Sequence, residues 1–139
     1  MNPKKSRNKI RWLRIAYWAG AILDLIAFFQ MMFPGFMAKA MKAHFAVTPE
    51  YEMAMQFGAS LMLAWTVLLI WADRKPVERR AILPLTLIII VMNFITFLQS
   101  VHMGLIPVET LVPQLVLITA IFILYVFAWW YSRDLEDNS

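Results

Sequence analysis

Four long apolar stretches separated by short polar connections dominate the chain. Between Ile15 and Ala38 the only acidic, basic or histidine residue is Asp24; between Met53 and Ala72 there is none; between Ala81 and Val108 there is only His102; and between Thr110 and Ser132 there is again none. A hydrocarbon core takes about 20 helical residues at roughly 1.5 Å rise each, so each stretch is long enough to cross it. None shows the alternation of a barrel strand. Backbone N–H and C=O groups in lipid must be satisfied within the segment, so the pattern predicts helices. The expected spans cover about residues 12–34, 51–72, 81–103 and 110–131. The fold class is all-α, a four-helix membrane bundle forming a single integral membrane domain over residues 1–139.

Local signals sharpen the boundaries. Thr48 can cap the second span, with Pro49 at its first helical position and Glu50 and Glu52 in its first turn. Pro76 and Pro113 suit early positions of the third and fourth spans, and Pro84 predicts a kink near Leu83 or the point where an interfacial turn becomes helix. Between the first two spans Phe36, Met37, Ala40, Met41, His44 and Phe45 recur at helical spacing, with Lys39 and Lys42 on the other face. This predicts a short amphipathic helix at the membrane surface.

Composition agrees with residence in a membrane. Of 139 residues, 61% are hydrophobic and 16% charged, against about a quarter charged in a typical soluble domain. The formal net charge is +4, but the basic residues sit between apolar runs rather than on a solvated face, which speaks against nucleic acid and for membrane orientation. Eleven of the 13 Lys and Arg fall in the N-terminal segment, in the second connection (Arg74, Lys75, Arg79, Arg80) and at Arg133, with only Lys39 and Lys42 on the other side. The positive-inside rule then places both termini in the cytoplasm, in the cell (inner) membrane, with Trp12, Tyr17, Trp18, Trp71, Trp129, Trp130 and Tyr131 as a belt on that side. The first apolar run is longer than a secretory signal core and contains Asp24, so it is expected to be retained. Cysteine is absent, which removes disulfides, thiolate metal sites and cysteine nucleophiles.

Polar residues inside the spans are the candidates for function. Asp24 lies about 15 Å beyond Arg14, near the bilayer midplane, and its neighbours one turn away include Gly20, Ala21 and Ala27, so it is expected to point into the bundle. Glu52, Gln56 and Ser60 recur every four residues on the second span; Thr86, Asn93 and Ser100 recur every seven on the third, beside Thr96; Gln114 and Tyr125 share a stripe on the fourth. These stripes are expected to face inward. The candidate ligand-binding set is Asp24, Glu52, Gln56, Ser60, Asn93, Gln99, His102 and Gln114, forming a polar pocket that opens outward and ends near Asp24. No phosphate loop, His-Glu-x-x-His run or nucleophilic triad is present, and no metal site is expected. Two further readings stay open: a proton-coupled transporter using Asp24, and a membrane enzyme using Asp24, Glu52 and His102.

Phe33-Pro34-Gly35-Phe36 at the end of the first span, Phe57-Gly58-Ala59, and the connection Trp71-Ala72-Asp73-Arg74-Lys75-Pro76-Val77-Glu78-Arg79-Arg80 carry a likeness. Over about residues 12–131 the chain resembles the DoxX-like small four-helix membrane proteins of prokaryotes, a largely uncharacterised group. Some members are small subunits of quinone-linked sulfur oxidation, so the resemblance implies a quinone or other lipid-like molecule and a larger membrane complex as partners. It carries no catalytic residue over and leaves the cofactor unknown. A homo-oligomer is the alternative to a larger complex.

Overall fold

The computed structural model describes residues 3–40 and 42–135. It is helical throughout: α1 (Pro3–Met32), α2 (Pro34–Ala40), α3 (Pro49–Asp73), α4 (Ile82–His102), a 3-10 turn (Val108–Thr110) and α5 (Leu111–Ser132). Four segments are long and apolar enough to cross a membrane: Ser6–Met32, Pro49–Asp73, Ile82–His102 and Val108–Ser132. The first helix begins earlier than its apolar run, because the basic segment before Trp12 continues the same helix.

Two helix starts follow the sequence signals, at Thr48-Pro49 and at Pro113 in the first turn of α5, whereas Pro76, expected early in the third span, lies in the turns before α4 begins at Ile82. Thr48 accepts a hydrogen bond from the Tyr51 N–H at 3.3 Å, and Pro49 occupies the first turn, where its missing N–H costs nothing. Pro84 introduces no kink inside a helix. It sits in the first turn of α4, and the turns that precede Ile82 supply the change of direction.

The connector between α1 and α3 is shorter as a helix than its apolar spacing suggests. Lys42 has φ 51°, and the Lys42 and Ala43 N–H groups donate to the Lys39 and Ala38 carbonyls at 3.1 and 2.9 Å. This is a Schellman ending, with Lys where Gly is usual. It stops α2 before His44 and Phe45; Met41, part of the same pattern, lies outside the described residues. The end of α4 closes in the same way at Gly104 (φ 70°), where the Gly104 and Leu105 N–H groups donate to the Val101 and Ser100 carbonyls, each at 3.0 Å. The Leu105 carbonyl then accepts from His44 N–H at 3.0 Å, tying the two connections together.

Helix α1 packs along α3 and α5, and α5 packs along α4. The core is confined to the end of the bundle that carries the termini. Leu13, Ala16, Tyr17 and Ala21 of α1 meet Leu69 and Ala72 of α3, Ile82 and Leu83 of α4, and Tyr125 and Ala128 of α5 in one buried cluster. Polar ties close the same end. Tyr17 OH donates to the Pro76 carbonyl at 3.3 Å, Arg14 pairs with Asp73 at 3.6 Å, and the nearly buried Lys9 pairs with Asp134 at 3.2 Å. One nitrogen of Arg80 donates to the carbonyls of Ser132, Arg133 and Leu135, capping α5. Exposed Trp12, Trp18, Trp71, Trp129 and Trp130 ring this end.

Candidate functional site

Above the core the helices border a half-open chamber of about 240 Å³. Helix α1 contributes Gly20, Asp24, Ala27 and Gln30, which recur every three or four residues and so share one face. The face runs about 15 Å along the axis. Helix α3 adds Met62, α4 adds Thr86, Ile90 and Asn93, and α5 adds Gln114, Ile118, Ile121 and Tyr125 among others. Small residues on α1 make the space: Gly20 lets the Tyr125 hydroxyl lie against the helix backbone, where a Cβ would collide with it, and Ala27 leaves room beyond Asp24.

The floor is set by Thr86. Its hydroxyl donates to the Ile82 carbonyl at 2.8 Å and accepts from Trp65 Nε1 at 3.2 Å, joining α3 to α4 and leaving it with satisfied bonding. Two other groups in the chamber are not satisfied: Asp24 Oδ2 and Tyr125 OH are buried without a hydrogen-bond partner among the described residues. Leaving such a group unpaired costs roughly 1–3 kcal/mol, more for a charge, so a pair of them in one chamber calls for a functional explanation.

The chamber brings together three of the eight candidates, Asp24, Asn93 and Gln114. Asp24 points inward as its small neighbours imply. Glu52, Gln56, Ser60, Gln99 and His102 are exposed and do not line it. The inward-facing stripe expected on the second span is therefore corrected. Gln56 and Ser60 lie about 60° and 100° round α3 from buried Ala59, and Ser60 satisfies its hydroxyl on the Phe57 carbonyl at 2.7 Å. Glu52 occupies the first turn of α3, where nothing covers it. Gln99 lies about 200° from buried Phe97 on α4, so it turns away from the bundle. Thr96 and Ser100 likewise bond back onto their own helix, to Met92 and Thr96 carbonyls at 3.0 and 2.9 Å. Asp24, Glu52 and His102 are thus not assembled around one site.

Gln30 is the chamber residue that the polar stripes did not include, although its spacing from Asp24 and Ala27 was enough to place it on the same face. It also joins the chamber to a groove of about 550 Å³, lined by Ile26, Phe29, Gln30, Phe33 and Phe36, where α1 turns into α2. Among the described residues no cluster of His, Asp and Glu could hold a metal ion. No protein-family model, curated protein or solved structure matches the chain.

Proposed function

We propose that the protein is a small membrane-embedded binding or accessory protein for a lipid-soluble small molecule. The observation that carries this reading is the chamber itself, a space between the helices with aliphatic walls, a few polar side chains and two buried, unpartnered polar atoms at its inner end. Its size suits one ring or a compact headgroup rather than a whole lipid, and pockets of this kind combine apolar walls with a few fixed polar groups. The adjoining phenylalanine groove supports an amphiphile, since an apolar tail leaving the chamber past Gln30 would find an apolar surface. The DoxX-like resemblance adds a quinone and a larger membrane complex to the readings this site could serve.

The basic residues orient the bundle with its termini in the cytoplasm of an inner membrane, so that the chamber opens toward the outside. Because no cysteine is present, single cysteines replacing Glu78 and Glu109 test this directly. In intact cells an impermeant thiol reagent is expected to label position 109 and spare position 78; the reverse labelling contradicts the orientation.

Binding is tested with benzyl alcohol on the protein in lipid nanodiscs, with protein-free nanodiscs subtracted. The expected result is saturable binding that Ile118→Trp, which fills the chamber, removes without lowering the melting temperature. Absence of saturable binding by the wild type contradicts the proposal. Proton-coupled transport through Asp24 remains the second reading, favoured by the position of that carboxyl in the chamber, and proton flux in liposomes distinguishes it.

A further inference from the structure

The charge pattern around the chamber is one-sided. Among the described residues that line it, Asp24 is the one carboxyl group, and no Lys, Arg or His accompanies it. The described basic side chains lie toward the ends of the spans. Arg14, the nearest on α1, is about 15 Å away along the helix and already pairs with Asp73 at 3.6 Å. A carboxylate so placed has no countercharge from the protein, and burial of an unpaired charge is costly.

The two unsatisfied atoms add a geometric requirement. Asp24 Oδ2 and Tyr125 OH can each accept a hydrogen bond, both belong to residues that line the same space, and Tyr125 is fully buried. A ligand that donates to both and carries a positive charge completes the site. The aliphatic surfaces of Ile90, Ile118 and Ile121 suit an apolar body attached to that donor.

We propose that the chamber takes a protonated amine, an organic ammonium ion held by the Asp24 carboxylate and the Tyr125 hydroxyl, with its apolar body against the isoleucines. The inference rests on the binding reading above and names its ligand class. An ammonium group supplies up to three donors and a countercharge; an alcohol of the same shape supplies one donor and no charge. An anion is repelled by Asp24, and a quinone, which only accepts hydrogen bonds, leaves an ionised Asp24 without a partner.

The test compares benzylamine, protonated at pH 7, with the nearly isosteric benzyl alcohol, both titrated onto the nanodisc-embedded protein after subtraction of empty nanodiscs. The expected result is saturable binding of the amine about tenfold or more tighter than of the alcohol. Asp24→Asn is expected to remove that advantage, and Tyr125→Phe to reduce it by a few-fold. Alcohol binding as tight as amine binding overturns the ammonium assignment and leaves the chamber a binding site for neutral molecules. An amine advantage that survives in Asp24→Asn overturns it too. If neither probe binds saturably, both this inference and the binding function fail. The amine-to-alcohol comparison needs no variant, so it decides even where Asp24→Asn does not fold.

Discussion

The two ends of the bundle are built from the same helices but to different plans. At the end carrying the termini, Leu13, Tyr17, Leu69, Leu83 and Tyr125 are fully buried, and side chains from α1, the α3–α4 connection and α5 tie the backbone together. At the other end buried residues are sparse, chiefly Pro34, Ala59 and Phe97, and, Thr86 apart, the polar side chains that border the chamber make no hydrogen bond across helices among the described residues. Association in lipid draws on close packing and interhelical hydrogen bonds rather than on the hydrophobic effect between helices. The closed end therefore supplies most of the stability, and the open end is free to hold polar groups that packing alone would disfavour. Asp24 and Tyr125 lie at the boundary between the two.

Glycine substitutions should break this contrast most sharply. A Cβ at Gly20 collides with the Tyr125 hydroxyl and comes within 3.0 Å of Leu69, so Gly20→Ala is expected to cost about 3 kcal/mol. Gly58→Ala, which meets only the flexible end of Met31 at 3.2 Å, should cost under about 1 kcal/mol. Tyr125→Phe removes the colliding oxygen, so thermal or denaturant unfolding of Gly20→Ala/Tyr125→Phe should recover most of the loss. An additive double mutant would show that the close approach is not the cause.

Truncated leucines give the next largest effect. Leu83 is fully buried in the closed end, and Leu83→Ala should cost about 2 kcal/mol, the low part of the aqueous range because lipid replaces water as the alternative solvent. Leu117, exposed at the chamber, should change stability by less than about 0.5 kcal/mol when made Ala. Equal losses would mean that both ends contribute alike. A smaller loss than at Leu83 is expected at Arg80, which donates to three carbonyls: Arg80→Ala should cost about 1 kcal/mol and speed proteolysis after Ser132, with little change at the chamber.

Much of the frame was legible because it follows from local rules. Apolar length set the four spans, Thr48-Pro49 set the start of α3, and small residues around Asp24 indicated an inward-facing carboxyl. The site was harder to read because a polar stripe has no direction until its helix is packed. Gln56 and Ser60 repeat as regularly as Asp24, Ala27 and Gln30, yet α3 turns Ala59, Thr66, Leu69 and Ala72 inward instead. Serine and threonine also satisfy themselves on their own helix, so Ser60 and Ser100 needed no partner across the bundle. The end of α2 was hidden for a similar reason, since Lys42 occupies a left-handed position that sequence reading reserves for glycine. The contact of Tyr125 with Gly20 joins residues far apart in sequence, and only the packed bundle brings them together.

The central claim is that one half of the bundle is sealed and the other holds an accessible polar chamber, and one pair of cysteine variants tests it. Ala16 is fully buried in the closed end, whereas Ala27, three turns further along the same helix, borders the chamber. The native chain contributes no competing thiol. Treated in nanodiscs with the small cationic reagent aminoethyl methanethiosulfonate, Ala27→Cys should be modified and Ala16→Cys should stay unmodified until the protein is unfolded. Protection of both thiols, or equal modification of both, would contradict the account.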